Sequence, residues 1–286
     1  MASAALFNSE EQMSEEKTKQ QEEKEKQEKP EARAEGPKAE AKAAEAGAKE
    51  AEAKPKEEPK PQKEEPKAKA REWDEEKIRE EGEKLFYPNK WSRIVLTSAE
   101  EVMGTQGVSA LLNMAGLKEL IGNYPPDNMK KQFSFNKFGR IQQAIWDMYG
   151  NRGARVFAVR AGEQSFKDGL TQFKSVAQAA QVAMRVGSLE AKAKLGLEFF
   201  SKFFNSVSDQ KVVVSEDEKH WIWTIEVCPM CWGRQSDEPC CHLAVGVLQA
   251  AFAWISDGKK FRIMETECKA KGDENCVIKI EKTPVE

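Results

Sequence analysis

The chain of 286 residues has only two histidines, His220 and His242, which leaves little room for a His-based catalytic triad. It has no phosphate-binding glycine loop: the glycines of GTQGVSALLNMAG (104–116) fit neither the G-x-G-x-x-G nor the Walker spacing. A G-x-S-x-G elbow is also missing. Nothing therefore announces a nicotinamide, flavin or nucleotide site. A run of about 18 apolar residues, as a membrane-spanning helix needs, is absent. The opening MASAALFNSEEQ lacks the basic flank of a secretory signal, so a cytoplasmic location is expected. With no helix-turn-helix signature, classical zinc finger or basic stripe, no nucleic-acid partner is expected.

Aromatic residues are missing from 10 to 69, a stretch made almost entirely of Glu, Lys, Ala, Gln and Pro. Such a segment cannot bury enough apolar surface to offset its ordering entropy. Its mixed charges make it a polyampholyte, and Lys-Glu-Glu-Pro-Lys, twice between Lys56 and Lys67, reads as an extended spacer. The expectation is a disordered tail over 1–72 and one globular domain over 73–286, with its core at about 90–283.

Within that domain, residues 73–86 predict a charged amphipathic helix. Ser98 and Glu101 have capping-box spacing, which predicts a helix start there. Phe138, Ile141, Ala144, Ile145 and Met148 recur at helical spacing and Gly150 stops that helix. Another helix follows through residues 154–170, where Arg160-Ala161-Gly162 permits close packing on a neighbour. Leu189, Ala193, Leu197, Phe200 and Phe204 mark one face of a further helix. The period then shortens. Val212–Val214 and the alternation of Trp221, Trp223, Ile225 and Val227 predict strands. Residues 243–255 read as a buried helix. Residues 261–267 and 276–281 read as two strands joined by the KAKGDEN turn. Helices first, then an antiparallel sheet with one helix inserted, indicate an α+β class.

All six cysteines lie in the last 59 residues: Cys228, Cys231, Cys240, Cys241, Cys268 and Cys276. In a chain without an export signal they favour metal binding or free thiols over disulfides. Cys268 and Cys276 flank the hairpin turn and Glu265 lies three residues before Cys268. A fourth ligand from the start of the 243–255 helix would complete a tetrahedron, and zinc accepts thiolates with a carboxylate. Spacing leaves that ligand open among Cys241, Cys240, Cys231 and Cys228. An all-thiolate C-x2-C-x8-C-C site, or a redox pair at Cys228/Cys231, are the other readings of these residues. His242 is read as unused and His220 as a solvent-facing turn residue.

Pro239-Cys240-Cys241-His-Leu-Ala-Val-Gly246 is followed by E-x2-C-x-A-x-G-D-x2-C from Glu265 to Cys276. With the earlier Tyr149-Gly150 and Arg160-Ala161-Gly162, this pattern resembles the 4-vinyl reductase-type (hydrocarbon-binding) domain over about 90–283. The resemblance implies the fold shared by phenol-sensor domains and transport-protein-particle subunits, which is similar to nitric-oxide sensor domains: helices packed on a small antiparallel sheet. It implies a homodimer enclosing an apolar pocket near a structural zinc, with ligands falling on Cys241, Glu265, Cys268 and Cys276. Cys228, Cys231 and Cys240 are then left as a second thiol site. The phenol sensors hold the ligand hydroxyl with a histidine in the long helix. Here that helix reads GLEFFSKFF, so a more apolar or larger ligand is expected. Trp221, Trp223, Phe199, Phe200, Phe203 and Phe204 are the candidate pocket walls. The function expected is binding of a hydrocarbon or tetrapyrrole-like ligand, as sensor or carrier, with output through a partner protein. A (bacterio)chlorophyll 4-vinyl reductase or its auxiliary factor, and an assembly subunit, are the alternatives.

Overall fold

The computed structural model describes residues 74–183 and 187–285. The tail expected over 1–72, and Trp73, lie outside the described residues. In chain order the elements are α1 (Glu75–Gly82), β1 (Phe86–Pro88), α2 (Asn89–Met114), β2 (Lys131–Ser134), α3 (Phe135–Gln172), α4 (Lys174–Ala183), α5 (Leu189–Val207), β3 (Lys211–Glu216), β4 (His220–Val227), α6 (His242–Ile255), β5 (Ile263–Glu267) and β6 (Cys276–Glu281). Among the described residues no helix is long and apolar enough to cross a membrane.

Short polar side chains start three of the helices. Asp74, Ser134 and Ser188 accept from the backbone N–H of Lys77, Lys137 and Ala191, so each satisfies one of the unpaired donors of a first turn. Ser98 does not cap a helix. α2 already begins at Asn89, whose N–H bonds the Lys130 carbonyl, and the Ser98 hydroxyl lies 2.6 Å from Asp168 Oδ2, tying α2 to α3. The break expected at Gly150 is present as a kink: its φ of 63° and ψ of 175° interrupt α3, which resumes on the other side. α1 ends at Gly82, short of the expected 86. Phe86 opens a two-stranded pair with β2, opposite Ser134, which sequence alone did not suggest.

The main sheet is antiparallel in the order β3-β4-β6-β5. Alternation along β4 buries Trp221, Trp223 and Ile225 on one face, where they stand opposite Ile280, Ile278 and Cys276 of β6. β5 and β6 are joined by a short 3₁₀ turn, Lys269–Lys271. Gly272, at φ 101°, closes the turn in the left-handed region that a side chain disfavours. Asp273 fastens it, its Oδ2 accepting from the Cys268 N–H at 2.8 Å.

α6 lies between α3 and the sheet. On the sheet side Phe252 packs on Trp221, with ring centroids 5.4 Å apart. On the other side the two helices touch backbone to backbone. A Cβ on Gly246 would lie 2.0 Å from the Val159 carbonyl oxygen, and one on Gly162 would lie 2.2 Å from that of Leu243. Only glycine permits this crossing, so the Gly162 contact and the Gly246 of the C-x4-G motif serve one purpose. They press the start of α6, and with it Cys241, onto the core.

Alanine gains about 1 kcal/mol over glycine in an exposed helix. At this crossing the sign reverses. Gly246→Val should destabilise the domain by about 1–3 kcal/mol, the usual cost of overpacking, measured as a lower denaturant midpoint with unchanged slope. An unchanged midpoint would show that the helices can part without cost.

Candidate metal centre and apolar cavity

All six cysteines are buried free thiols, and they come from four separate pieces of chain. Cys228 and Cys231 belong to the loop after β4. Cys240 and Cys241 end that loop, with Cys241 at the cap of α6. Cys268 and Cys276 flank the β5–β6 turn. Neighbouring sulfurs lie 3.4 Å (Cys231–Cys276), 3.5 Å (Cys228–Cys241) and 3.8 Å (Cys241–Cys268 and Cys241–Cys276) apart. Cys268 and Cys276 are 4.0 Å apart. Four sulfurs about 2.3 Å from a tetrahedral zinc lie about 3.8 Å from one another, so the spacing suits coordination.

Two four-donor groups have all their ligand atoms within 4.8 Å of one another. One is Cys241, Glu265, Cys268 and Cys276; the other is Cys228, Cys231, Cys241 and Cys276. Glu265 carries a further sign of a cation. Its Oε2 accepts from the Cys241 N–H at 2.7 Å, while Oε1 is buried with no hydrogen-bond partner. A buried carboxylate oxygen left unpaired is costly, and coordination is one way to satisfy it. The residues present therefore fit a thiolate-preferring divalent metal.

Among the protein groups alone, protons are shared unevenly. Hydrogen bonds from Cys231, Cys240 and Cys241 hold Cys268 well below the ordinary thiol range. Burial opposes ionisation of Cys228, but hydrogen bonds from Cys231, Cys241 and Cys276 bring it down. The donating partners move the other way: burial and the bond to Cys228 push Cys241 up, and the bond to Cys228 raises Cys231 and Cys276. Burial, with the Cys268 charge beside it, raises the Glu265 carboxyl to about 9. A bound divalent cation inverts this logic by favouring thiolate and carboxylate.

The loop from Cys228 to Cys241 is held from outside the cluster. Arg234 is buried; its guanidinium donates to the Met230 and Cys240 carbonyls and to Gln143 of α3. Trp232 Nε1 donates to the Ile78 carbonyl of α1. His242 opens α6 in neither donor group. Burial, then the charges of Arg155 and Arg234, lower it to about 4. His220 opens β4, half-exposed, with Nδ1 3.0 Å from Asp217 Oδ1.

Next to the cluster is an apolar cavity. About 70 Å³ of it is open to the centre of a water molecule. Phe199, Phe200, Phe203 and Phe204 of α5 and Trp223 of β4 all line it. Trp221 does not: it shares the Trp223 face, but two residues further along β4 it is enclosed by Phe252 and Phe261. Sequence reading missed Phe166 and Phe173 of the α3 region, Trp91 of α2 and Trp254 of α6, which complete the aromatic wall. Phe166, Gly169, Leu170 and Phe173 recur at helical spacing, a signal that was available in the sequence. Trp91 and Trp254 are brought in by long-range packing alone. The polar groups at the wall include Gln210 and the Tyr87 hydroxyl, which donates to Gln210 Oε1.

The cavity and the cluster share a wall. Met230, between Cys228 and Cys231, lines the cavity and has its sulfur 3.7 Å from that of Cys228. Leu243 and Ala244, in the first turn of α6 after Cys241, line it as well.

Comparison with known proteins gives remote structural likenesses. An H-NOX protein from S. oneidensis in the Fe(II)NO state is 13% identical with a TM-score of 0.43, covering 67% of this chain and 99% of that one. The unliganded Fe(II) H-NOX protein from K. algicida is 13% identical with a TM-score of 0.44, covering 68% and 98%. The phenol-responsive sensory domain of the transcription activator PoxR, with phenol, is 18% identical with a TM-score of 0.37, covering 50% and 71%. No curated protein matches the chain. Residues 221–282, which run from β4 through the cysteine loop and α6 to the end of β6 and hold all six cysteines, match the 4-vinyl reductase domain family.

Proposed function

We propose that this chain is a zinc-stapled module that encloses a small apolar ligand and acts as a sensor or carrier. The observation that supports this reading is the wall common to the two sites: the loop and helix turn that carry Cys228, Cys231 and Cys241 also supply Met230, Leu243 and Ala244 to the cavity. Zinc held by Cys241, Glu265, Cys268 and Cys276 would join the α6 cap to the β5–β6 turn. All four positions are then filled by protein, so the ion is structural. Its binding free energy adds to folding. The ligand would be selected by shape and by burial against Phe166, Phe200, Phe203, Phe204, Trp223 and Trp254.

Cavity size bears on the ligand class. One water needs about 10–15 Å³ in this measure, so a space of about 70 Å³ suits a compact hydrocarbon or single ring. A tetrapyrrole-like ligand would require α4 and α5 to move apart. For the expected homodimer, exposed Val156 and Met264 flank one groove beside α6 and offer apolar surface. Output would pass to a partner protein.

The purified full chain should contain zinc by elemental analysis, and a chelator should lower its melting temperature. Cys268→Ser should weaken zinc retention and destabilise the fold by about 3–5 kcal/mol, as happens when one member of a buried charged set is removed. If metal content and melting temperature are both unchanged, the ligand assignment is wrong.

Toluene or naphthalene should alter the tryptophan fluorescence of the protein. Ala251→Phe, which fills the cavity, should weaken that binding about tenfold or more, a change of about 1.4 kcal/mol. Equal affinity in the variant would place the ligand elsewhere. Reduction of a vinyl-bearing tetrapyrrole by the chain and a reductant alone would replace binding with catalysis. Recovery of the chain only in stable hetero-complexes would favour an assembly role.

A further inference from the structure

A single tetrahedral metal uses four donors, and this cluster offers more. With Cys241, Glu265, Cys268 and Cys276 committed, Cys228 and Cys231 remain. Their sulfurs lie 3.5 Å from Cys241 and 3.4 Å from Cys276, respectively. They are not a distant pair of spare thiols. They form the second complete four-donor group, and that group reuses Cys241 and Cys276.

We infer that the domain holds two divalent metal ions as one cluster, with Cys241 and Cys276 as bridging thiolates. Cys228 and Cys231 would complete the first ion's shell, and Cys268 and Glu265 the second's. This inference rests on the zinc reading above, because it adds a second ion to the same pair of shared sulfurs.

Three features support two ions over one ion with idle thiols. The first is local chain geometry. Cys228-Pro-Met-Cys231 is a C-x2-C turn, the spacing by which one loop presents two sulfurs to one ion. Arg234 fixes that loop through two of its carbonyls. The second is the shared edge. Cys241 and Cys276 are 3.8 Å apart and belong to both groups, so two four-coordinate shells can meet along that edge. The third is charge. Five thiolates and a carboxylate in a dry site leave an excess of four negative charges over one divalent ion, but only two over a pair. The buried Arg234 guanidinium beside the loop offsets part of that remainder. Cys240 stands outside both groups. Its sulfur is 3.8 Å from Cys268 alone, so it takes no coordination position.

The test uses the full chain as purified. Native mass spectrometry should give two zinc ions per chain. The metal-free protein is then reloaded with Co²⁺ and followed by absorption and electron paramagnetic resonance. The cobalt-thiolate bands should grow to two equivalents. The paramagnetic signal, rising over the first equivalent, should fall over the second, because thiolate-bridged cobalt ions couple their spins. One metal per chain at saturation overturns the inference without the need for any variant. Two metals with additive paramagnetic signals overturn the bridging.

Variants separate this inference from the zinc staple beneath it. The double variant Cys228→Ser/Cys231→Ser should keep one metal, whereas Cys240→Ser should keep two. If wild type binds one metal that Cys268→Ser releases and the Cys228/Cys231 variant retains, the staple stands and the second ion fails. If wild type binds none, both fail.

Discussion

The rest of the structure depends on one constraint: six thiols and a carboxylate are gathered where water does not reach. Cys241, Cys268 and Cys276 have no exposed surface, and Glu265 keeps one oxygen without a partner. Anionic donors in so dry a place are tolerated only with positive charge among them or with protons bound. The neighbouring helices and strands carry that requirement outward. The α6 cap, the β5–β6 turn and the loop after β4 meet at these sulfurs, and each is fastened by its own contacts. Cys241 is pressed inward by the glycine crossing of α3 and α6. The turn is closed by Gly272 and Asp273. The loop is gripped by Arg234.

The same elements shape the cavity. α6 starts at the cluster, passes Leu243, Ala244, Val247, Leu248 and Ala251 along the cavity wall, and reaches Trp254 at the far side. A metal that fixes the first turn of α6 therefore also fixes the position of five small or aliphatic wall residues. Against them stand the aromatic rings of α5 and the α3 region, packed edge to face: Phe166 on Phe200 and Phe173 on Phe203, both at 5.4 Å. Such contacts are rigid but can rearrange by ring rotation. In the proposed function, ligand entry shifts these rings against a wall that the metal holds still.

Much of this was legible in the sequence, and the rest was not for physical reasons. Period-two alternation placed β4 to within a residue, and the Gly-Asp turn located the β5–β6 hairpin, because both are local patterns. Gly162 was read as a packing position, yet its partner Gly246 required the fold. Ser98 matched a capping box but sits inside α2, since capping spacing recurs by chance in any polar stretch and tertiary contact with Asp168 decides its role. The β1–β2 pair was invisible because three or four residues carry too little pattern. At the cluster, spacing left the fourth ligand open among four cysteines. The structure puts Cys241 in both donor groups, Cys228 and Cys231 together in one, and Cys240 in neither. Trp221 was grouped with the cavity by strand phase, which selects a face and not a position along it.

The central claim is that metal in the thiolate cluster holds the α6 wall of the cavity in place. Amide hydrogen exchange of the full chain before and after chelation tests it most directly. The account predicts that removing the metal accelerates exchange in the first turns of α6, at the β5–β6 turn and in the loop 228–241, while α2 and the far half of α3 keep their protection. Unchanged exchange in α6 after complete metal removal, or uniform loss of protection across the domain, would contradict it.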